Sequence, residues 1–295
     1  MMSSTSSKWH KLRPYGMVTP ALAVFGVFFI YPIFYMIYLS VFDWNFVSPT
    51  KDYVGLQNFS ALLSDDEFRQ VILNTTIYTV TTVLLTLSIS LLLALWLNRS
   101  GAFYGFVQGA IFSPHIISLV SISLLWSWLM DPEYGLLNWV ISLFGFGPLE
   151  WFSHPDTSLM SLILVAVWKG IGFNTLVFIA GLQSIPQSIY EAAALDRSKP
   201  WRTFMRLTLP MLSPTLFFLA IMSMIGSFQV FETIAIMTQG GPVNSTNTLV
   251  YYIYQYGFRF FKIGYASAAG VILLVIVGIL TLIYFRLLSK KVHYR

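Results

Sequence analysis

GLQSIPQSIYEAAALDRSKPWRTFMRLTLP, residues 181–210, reads as a short surface helix framed by prolines. Pro186 and Ser188 suit a helix start, Glu191 falls in the first turns, and the Glu-Ala-Ala-Ala-Leu run has high helix propensity. Pro200 ends or bends what precedes it. The expected product is a short helix on which Ala192 and Ala193 offer a flat surface between the Glu191 carboxylate and a basic cluster. Physics alone leaves two readings open: a docking element, or an ordinary basic loop containing a helical turn.

On either side of this loop the chain is built for lipid. It is 56% hydrophobic and 10% charged, with a mean hydropathy of +0.71, outside the balance of a soluble domain. A spanning helix needs roughly 20 consecutive apolar residues. No Asp, Glu, Lys or Arg occurs between Arg13 and Asp43, Arg69 and Arg99, Arg99 and Asp131, Arg206 and Glu232, or Lys262 and Arg286. A sixth run, between Asp156 and Glu191, is interrupted only by Lys169. The expected spans are about 17–41, 72–97, 106–129, 158–182, 211–236 and 264–287. The expected fold is therefore an all-α, multi-pass membrane protein with six transmembrane helices. Its hydrophilic stretches are too short for a soluble domain, so residues 1–295 read as one transmembrane domain, with a loop at about 183–210.

The net charge of +5 is a topology signal, because short cytoplasmic segments carry excess Lys and Arg. Lys8, Lys11, Arg13, Arg99, Arg197, Lys199, Arg202, Arg206, Arg286, Lys290, Lys291 and Arg295 fall on one side of the six spans. The other side carries only Lys51, Arg69, Arg259 and Lys262, and it collects Asp43, Asp52, Asp65, Asp66, Glu67, Asp131, Glu133, Glu150 and Asp156. Both termini are expected in the cytoplasm. No basic cluster is interleaved with aromatics in a soluble segment, which argues against nucleic acid as a partner. Trp44, Trp96, Trp126 and Trp128 fall near span ends, where indole rings suit the headgroup level of membrane lipid. The first apolar run is long enough to span and lacks a small-residue cleavage site, so it reads as an anchor. There is no cysteine, which excludes disulfides and thiolate metal sites.

The 181–210 loop resembles the EAA motif of ABC importer permeases, with Glu191, Ala192, Ala193, Asp196, Leu209 and Pro210 in the motif places. The family glycine is replaced by Arg197; a left-handed turn there would cost about 1–2 kcal/mol. YVGLQNF at 53–59, NTTIYT at 74–79, DPEYGLLNW at 131–139, VWKGIGFN at 167–174, TQGGPVNSTNTLVYYIY at 238–254 and the terminal KKVHYR resemble the carbohydrate and glycerol-3-phosphate branch, the maltose-permease-like family. The resemblance implies the type I importer permease fold with a cytoplasmic coupling helix, in the inner membrane. It implies as partners a homologous second permease subunit, two ABC ATPase subunits and an extracytoplasmic solute-binding protein. The solute would be a sugar or sugar-like compound, with sn-glycerol-3-phosphate or a glycerophosphodiester as the alternative. Glu191, Ala192, Ala193, Asp196 and Arg197 would contact the ATPase.

The chain contains no Gly-x-x-x-x-Gly-Lys-Ser/Thr loop and ends shortly after the last span, so it is expected to hold no cofactor; ATP and Mg would be bound by the ATPase partners. No catalytic or metal site is expected. Two ions lie inside the spans, and such ions are functional candidates because burying them unpaired is costly. At about 1.5 Å per residue, Lys169 lies about 16 Å deep and Glu232 about 6 Å. They read either as a structural pair locking the fourth and fifth spans, or as pathway lining together with Trp168, Asn174, Phe228 and Gln229, since sugars favour aromatic faces, amides and carboxylates. Asn74 reads as a helix cap. Two other classes compete. A membrane-embedded enzyme would need convergent acid, base or metal-binding groups, yet His10, His115, His154 and His293 are scattered. An ion-coupled secondary transporter would leave the EAA-like loop unexplained.

Overall fold

In a computed structural model, residues 5–288 are described, with side chains from Pro14 to Arg286. The cations Lys290, Lys291 and Arg295, His293 and the terminal KKVHYR segment lie outside the described residues; Lys8, His10, Lys11 and Arg13 are described by backbone alone. The chain forms two compact units. One ends at Ser64 and takes in Ile253–Ile272; the other is Asp65–Tyr252 with the chain from Leu273 onward.

The first unit contains the long helix α1 (Pro14–Leu39), almost all of it exposed, as suits a helix whose solvent is lipid. After it, β1 (Phe42–Asp43) and β2 (Asp52–Tyr53) pair antiparallel, with Phe42 opposite Tyr53. The short helix α2 (Gln57–Ser64) follows. From it, Asn58 donates its amide hydrogens to the carbonyls of Ser40 and Phe42, at 2.9 and 3.0 Å.

The second unit is organised by two long helices, α3 (Asp66–Leu97) and α7 (Pro155–Gln183), which pack along their length. Each starts where its sequence dictates. Asp65 caps α3 by accepting a hydrogen bond from the Glu67 amide, with Asp66 and Glu67 placed where the helix dipole favours acids. His154 caps α7, and Pro155 occupies the first turn. Between them lie α4 (Ala102–Ile116), α5 (Leu119–Leu129) and α6 (Leu136–Leu143). Beyond α7 come α8 (Gln187–Leu195), α9 (Pro200–Met211), α10 (Ser213–Phe228), α11 (Leu249–Tyr254) and α12 (Ile263–Leu288), the last two shared between the units. The core is apolar: Leu87, Ala94 and Leu97 of α3 meet Phe178, Ile179 and Leu182 of α7, with Leu212 and Leu219 closing the cluster.

Four spans match continuous helices, at Pro14–Leu39, Asp66–Leu97, Pro155–Gln183 and Ile263–Arg286, the first with a π-helical turn at Gly26–Ile30. The other two are interrupted. The expected span at 106–129 is α4 followed by α5, bent by 102°. Pro114 lies in the last turn of α4, and Ile117 and Ser118 are extended, with Ser118 capping α5 by accepting from the Ser121 amide. The expected span at 211–236 is preceded by α9, at 65° to α10. It stops at Phe228 and resumes at Glu232, continuing as the short π-helical piece Ile234–Thr238.

Asn74 is not a cap. It lies two turns inside α3, buried, and donates to the carbonyls of Asn244 (2.7 Å) and Asn247 (3.0 Å). With the Leu249 amide donating to the Thr75 hydroxyl at 3.0 Å, this ties the loop between Thr238 and Leu249 to α3. The loop needs such ties because it bends through left-handed residues, Gln239, Gly240, Val243 and Asn244.

Candidate functional site

Two places in the second unit bring the chemistry-bearing residues together. At the first, α8 presents Glu191 and Ala192 on its exposed side, whereas Ala193 is buried. The expected flat alanine pair is therefore split: helical spacing turns adjacent residues about 100° apart, so Ala193 faces a hollow lined by Leu95, Leu182 and Tyr190. Leu195, at 86% exposure, takes its place on the outer surface. Thr208 donates to the Tyr190 hydroxyl at 3.3 Å, holding α8 to the chain that follows.

Arg197 does enter the left-handed region, with φ of 50°. The Ser198 amide donates to the Ala193 carbonyl and the Arg197 amide to the Ala194 carbonyl, both at 3.0 Å. That is the Schellman arrangement, in which glycine is the usual residue at this position. The hydrogen bonds compensate the strain, so the turn keeps its handedness without the glycine. Asp196 and Arg197 are both exposed beside Glu191.

The second place is a cavity of about 330 Å³, lined by residues of α3, α7, α10 and the two helix interruptions. Lys169, Asn174, Gln229 and Glu232 line it. Trp168 and Phe228 do not. Trp168 packs edge-on against Trp126, with centroids 5.3 Å apart, and Phe228 is buried beside a separate apolar hollow with Val83 and Leu280.

Lys169 is committed to backbone. Its ammonium donates to the carbonyls of Ile117 (2.7 Å), Pro114 (3.1 Å) and, at the long limit, His115 (3.4 Å). These are carbonyls freed where α4 stops, so the lysine caps the broken helix and places its charge at the negative end of the dipole. Among the described residues Lys169 and Glu232 form no ion pair; of the two readings left open the paired one is not seen, because the cation's three donors are directed to the α4–α5 break. The glycines of VWKGIGFN explain how α7 comes close enough. A Cβ on Gly172 would lie 1.9 Å from the Ile111 carbonyl oxygen, and one on Gly170 3.1 Å from the Thr86 side chain.

Sequence reasoning missed α3's share of the cavity. Tyr78, Thr82 and Thr86 line it, and all three are buried. The signal was the helical spacing of the hydroxyls Thr75, Thr79, Thr82, Thr86 and Ser90, which share one face of a mostly apolar helix.

Residues 72–294 match the family described as "Binding-protein-dependent transport system inner membrane component". The chain is 35% identical to the sn-glycerol-3-phosphate transport system permease protein UgpA of Agrobacterium fabrum, over 97% of each chain. It is also 35% identical to that of Yersinia pestis, over 96% of each. Among solved structures it resembles a bacterial ABC transporter involved in the import of the acidic polysaccharide alginate, with a TM-score of 0.80, 27% identity, and coverage of 95% of this chain and 99% of that one. A bacterial alginate transporter in complex with alginate pentasaccharide-bound periplasmic protein gives a TM-score of 0.83 at 25% identity, covering 94% and 96%. Sequence match and fold agree: the chain belongs to the binding-protein-dependent transport system inner membrane components, as a non-catalytic ABC importer permease subunit.

Proposed function

We propose that this subunit carries a sugar or sugar-like polyol into the cytoplasm through the 330 Å³ cavity, with both termini in the cytoplasm and α8 as the lever moved by the ATPase. The observation that carries the reading is the cavity itself, which lies where two membrane helices are interrupted. Discontinuous helices free backbone dipoles and make room at depth, which is where transporters of many folds hold solute. The assembly includes a homologous second permease, two ATPase subunits that bind ATP and Mg, and a solute-binding protein on the outer face. A glycerol-phosphate solute is the second reading, favoured by the names of the relatives at 35% identity.

Glu191 is exposed on α8 and makes no ion pair among the described residues, so its carboxylate is available to a partner. Glu191→Lys should leave the two permeases associated but release the ATPase more readily in detergent, lowering uptake and solute-stimulated hydrolysis together. Removing a solvated acid changes stability by no more than about 0.5 kcal/mol, whereas losing one partner of a desolvated interfacial pair costs about 2–5 kcal/mol. Normal uptake by the Glu191→Lys importer would sink the lever role. Orientation is tested by single cysteines: reagents confined to the outside should label Ser64→Cys and Ser153→Cys in intact cells and spare Ser100→Cys. Thermal shift of the cognate binding protein with maltose and with sn-glycerol-3-phosphate separates the two solutes.

A further inference from the structure

We propose that the hydroxyls of Thr82 and Thr86 are solute contacts, exchanging hydrogen bonds with the hydroxyls of a polyhydroxylated solute in the cavity. The proposal rests on the import reading and names the chemistry of its site. Thr75, Thr79, Thr82, Thr86 and Ser90 all fall within about 80° of one face of α3 at 3.6 residues per turn, and all are buried. Their bonding states differ along the helix. At one end Thr75 donates to the Val71 carbonyl and accepts from the Leu249 amide. At the other, Ser90 donates to the Ile171 carbonyl at 3.1 Å. Both are structural ties.

In the middle, Thr82 and Thr86 are 7% and 3% exposed, line the cavity, and have no hydrogen-bond partner for their hydroxyls. A threonine inside a helix ordinarily satisfies itself on the carbonyl four residues back, as Thr75 and Thr76 do. A buried hydroxyl left unpaired is costly and calls for a partner.

The rest of the lining says which partner. Lys169 has spent its donors on the α4–α5 break. Asn174 donates to the Gly170 carbonyl at 2.8 Å. Glu232 makes no ion pair among the described residues, so its carboxylate can accept from a solute, while the Lys169 ammonium, held by carbonyls, keeps its charge beside the same space. A carboxylate only accepts, while a threonine hydroxyl both donates and accepts. Solute hydroxyls satisfy both. The face therefore reads hydroxyls, and two sources present them: a neutral sugar, or the glycerol end of a glycerol phosphate.

The chain contains no cysteine, so Thr82→Cys, Thr86→Cys and, as an exposed control on α3, Ser88→Cys each give this subunit a single thiol. In the complete importer in proteoliposomes, a water-soluble methanethiosulfonate should modify positions 82 and 86 and spare 88. Maltose or sn-glycerol-3-phosphate should slow the modification, and the one that does so identifies the source. Thr82→Val and Thr86→Val, which keep the shape, should each weaken uptake of that solute by about three- to tenfold, the worth of one hydrogen bond; Thr→Ser at either position should restore it. Cysteines at 82 and 86 as unreactive as at 88, modification that neither solute slows, or valine variants with unchanged uptake would overturn the proposal. Wild-type proteoliposomes that take up none of a panel of sugars, polyols and glycerol phosphates would instead overturn the import reading, on which the unequal reactivity of positions 82, 86 and 88 does not depend.

Discussion

Lys169→Met tests whether the intramembrane lysine is a helix cap or half of an ion pair. Methionine keeps the length and apolar stem and removes only the ammonium. In the structure this orphans the Ile117 and Pro114 carbonyls, bonded at 2.7 and 3.1 Å, while the His115 contact at 3.4 Å adds little. A hydrogen bond to a charged group contributes about 1.5–3 kcal/mol. Lys169 is half-buried, so we count the set as a single full bond of that size. At about 2–4 °C per kcal/mol for a domain of 150–250 residues, the midpoint of thermal unfolding should fall by about 3–12 °C, read by fluorescence-detected gel filtration of the detergent-solubilised permease pair. Glu232→Gln should shift it far less, and the double variant should be additive within about 0.3–0.5 kcal/mol. A Lys169→Met protein as thermostable as wild type, or a coupling with Glu232 above about 1 kcal/mol, would refute the cap and restore the pair.

Gly172→Ala forces a Cβ to within 1.9 Å of the Ile111 carbonyl oxygen, so the same assay should report a loss of about 1–3 kcal/mol, while Gly278→Ala, with nothing within 4 Å, should be neutral. Arg197→Gly relieves a left-handed residue and should stabilise by about 1 kcal/mol; a destabilised Gly variant would mean the Arg197 side chain makes a contact that matters more than its backbone. Asn74→Leu removes two hydrogen bonds to buried loop carbonyls and should cost about 1–3 kcal/mol, with faster proteolysis between 239 and 248 as its local signature.

The class of the protein was legible in the chain because lipid imposes a one-dimensional rule: a span must be apolar over its whole length. For the same reason Lys169 and Glu232 stood out. The helix at Gln187–Leu195 was legible from local propensity and its prolines. The left-handed turn at Arg197 was not, because its handedness rests on the hydrogen bonds of Ser198 and Arg197 to the last turn of the helix. The 102° break after Ile116 was also hidden. An apolar run through Pro114 and Ser118 is equally long whether straight or bent, and what holds the bend is a lysine more than fifty residues away. The same distance decided which candidates share the cavity: composition named Trp168 and Phe228 for their chemistry, but the helical phase at which α7 and α10 pack turned both toward apolar neighbours. The threonines of α3 look in sequence like tolerable polar interruptions of a greasy helix. Only the approach of α7 at Gly170 and the interruption of the fifth span at Gln229 enclose Thr82 and Thr86 around a polar space. Periodicity specifies which residues share a face, and tertiary packing decides what that face meets.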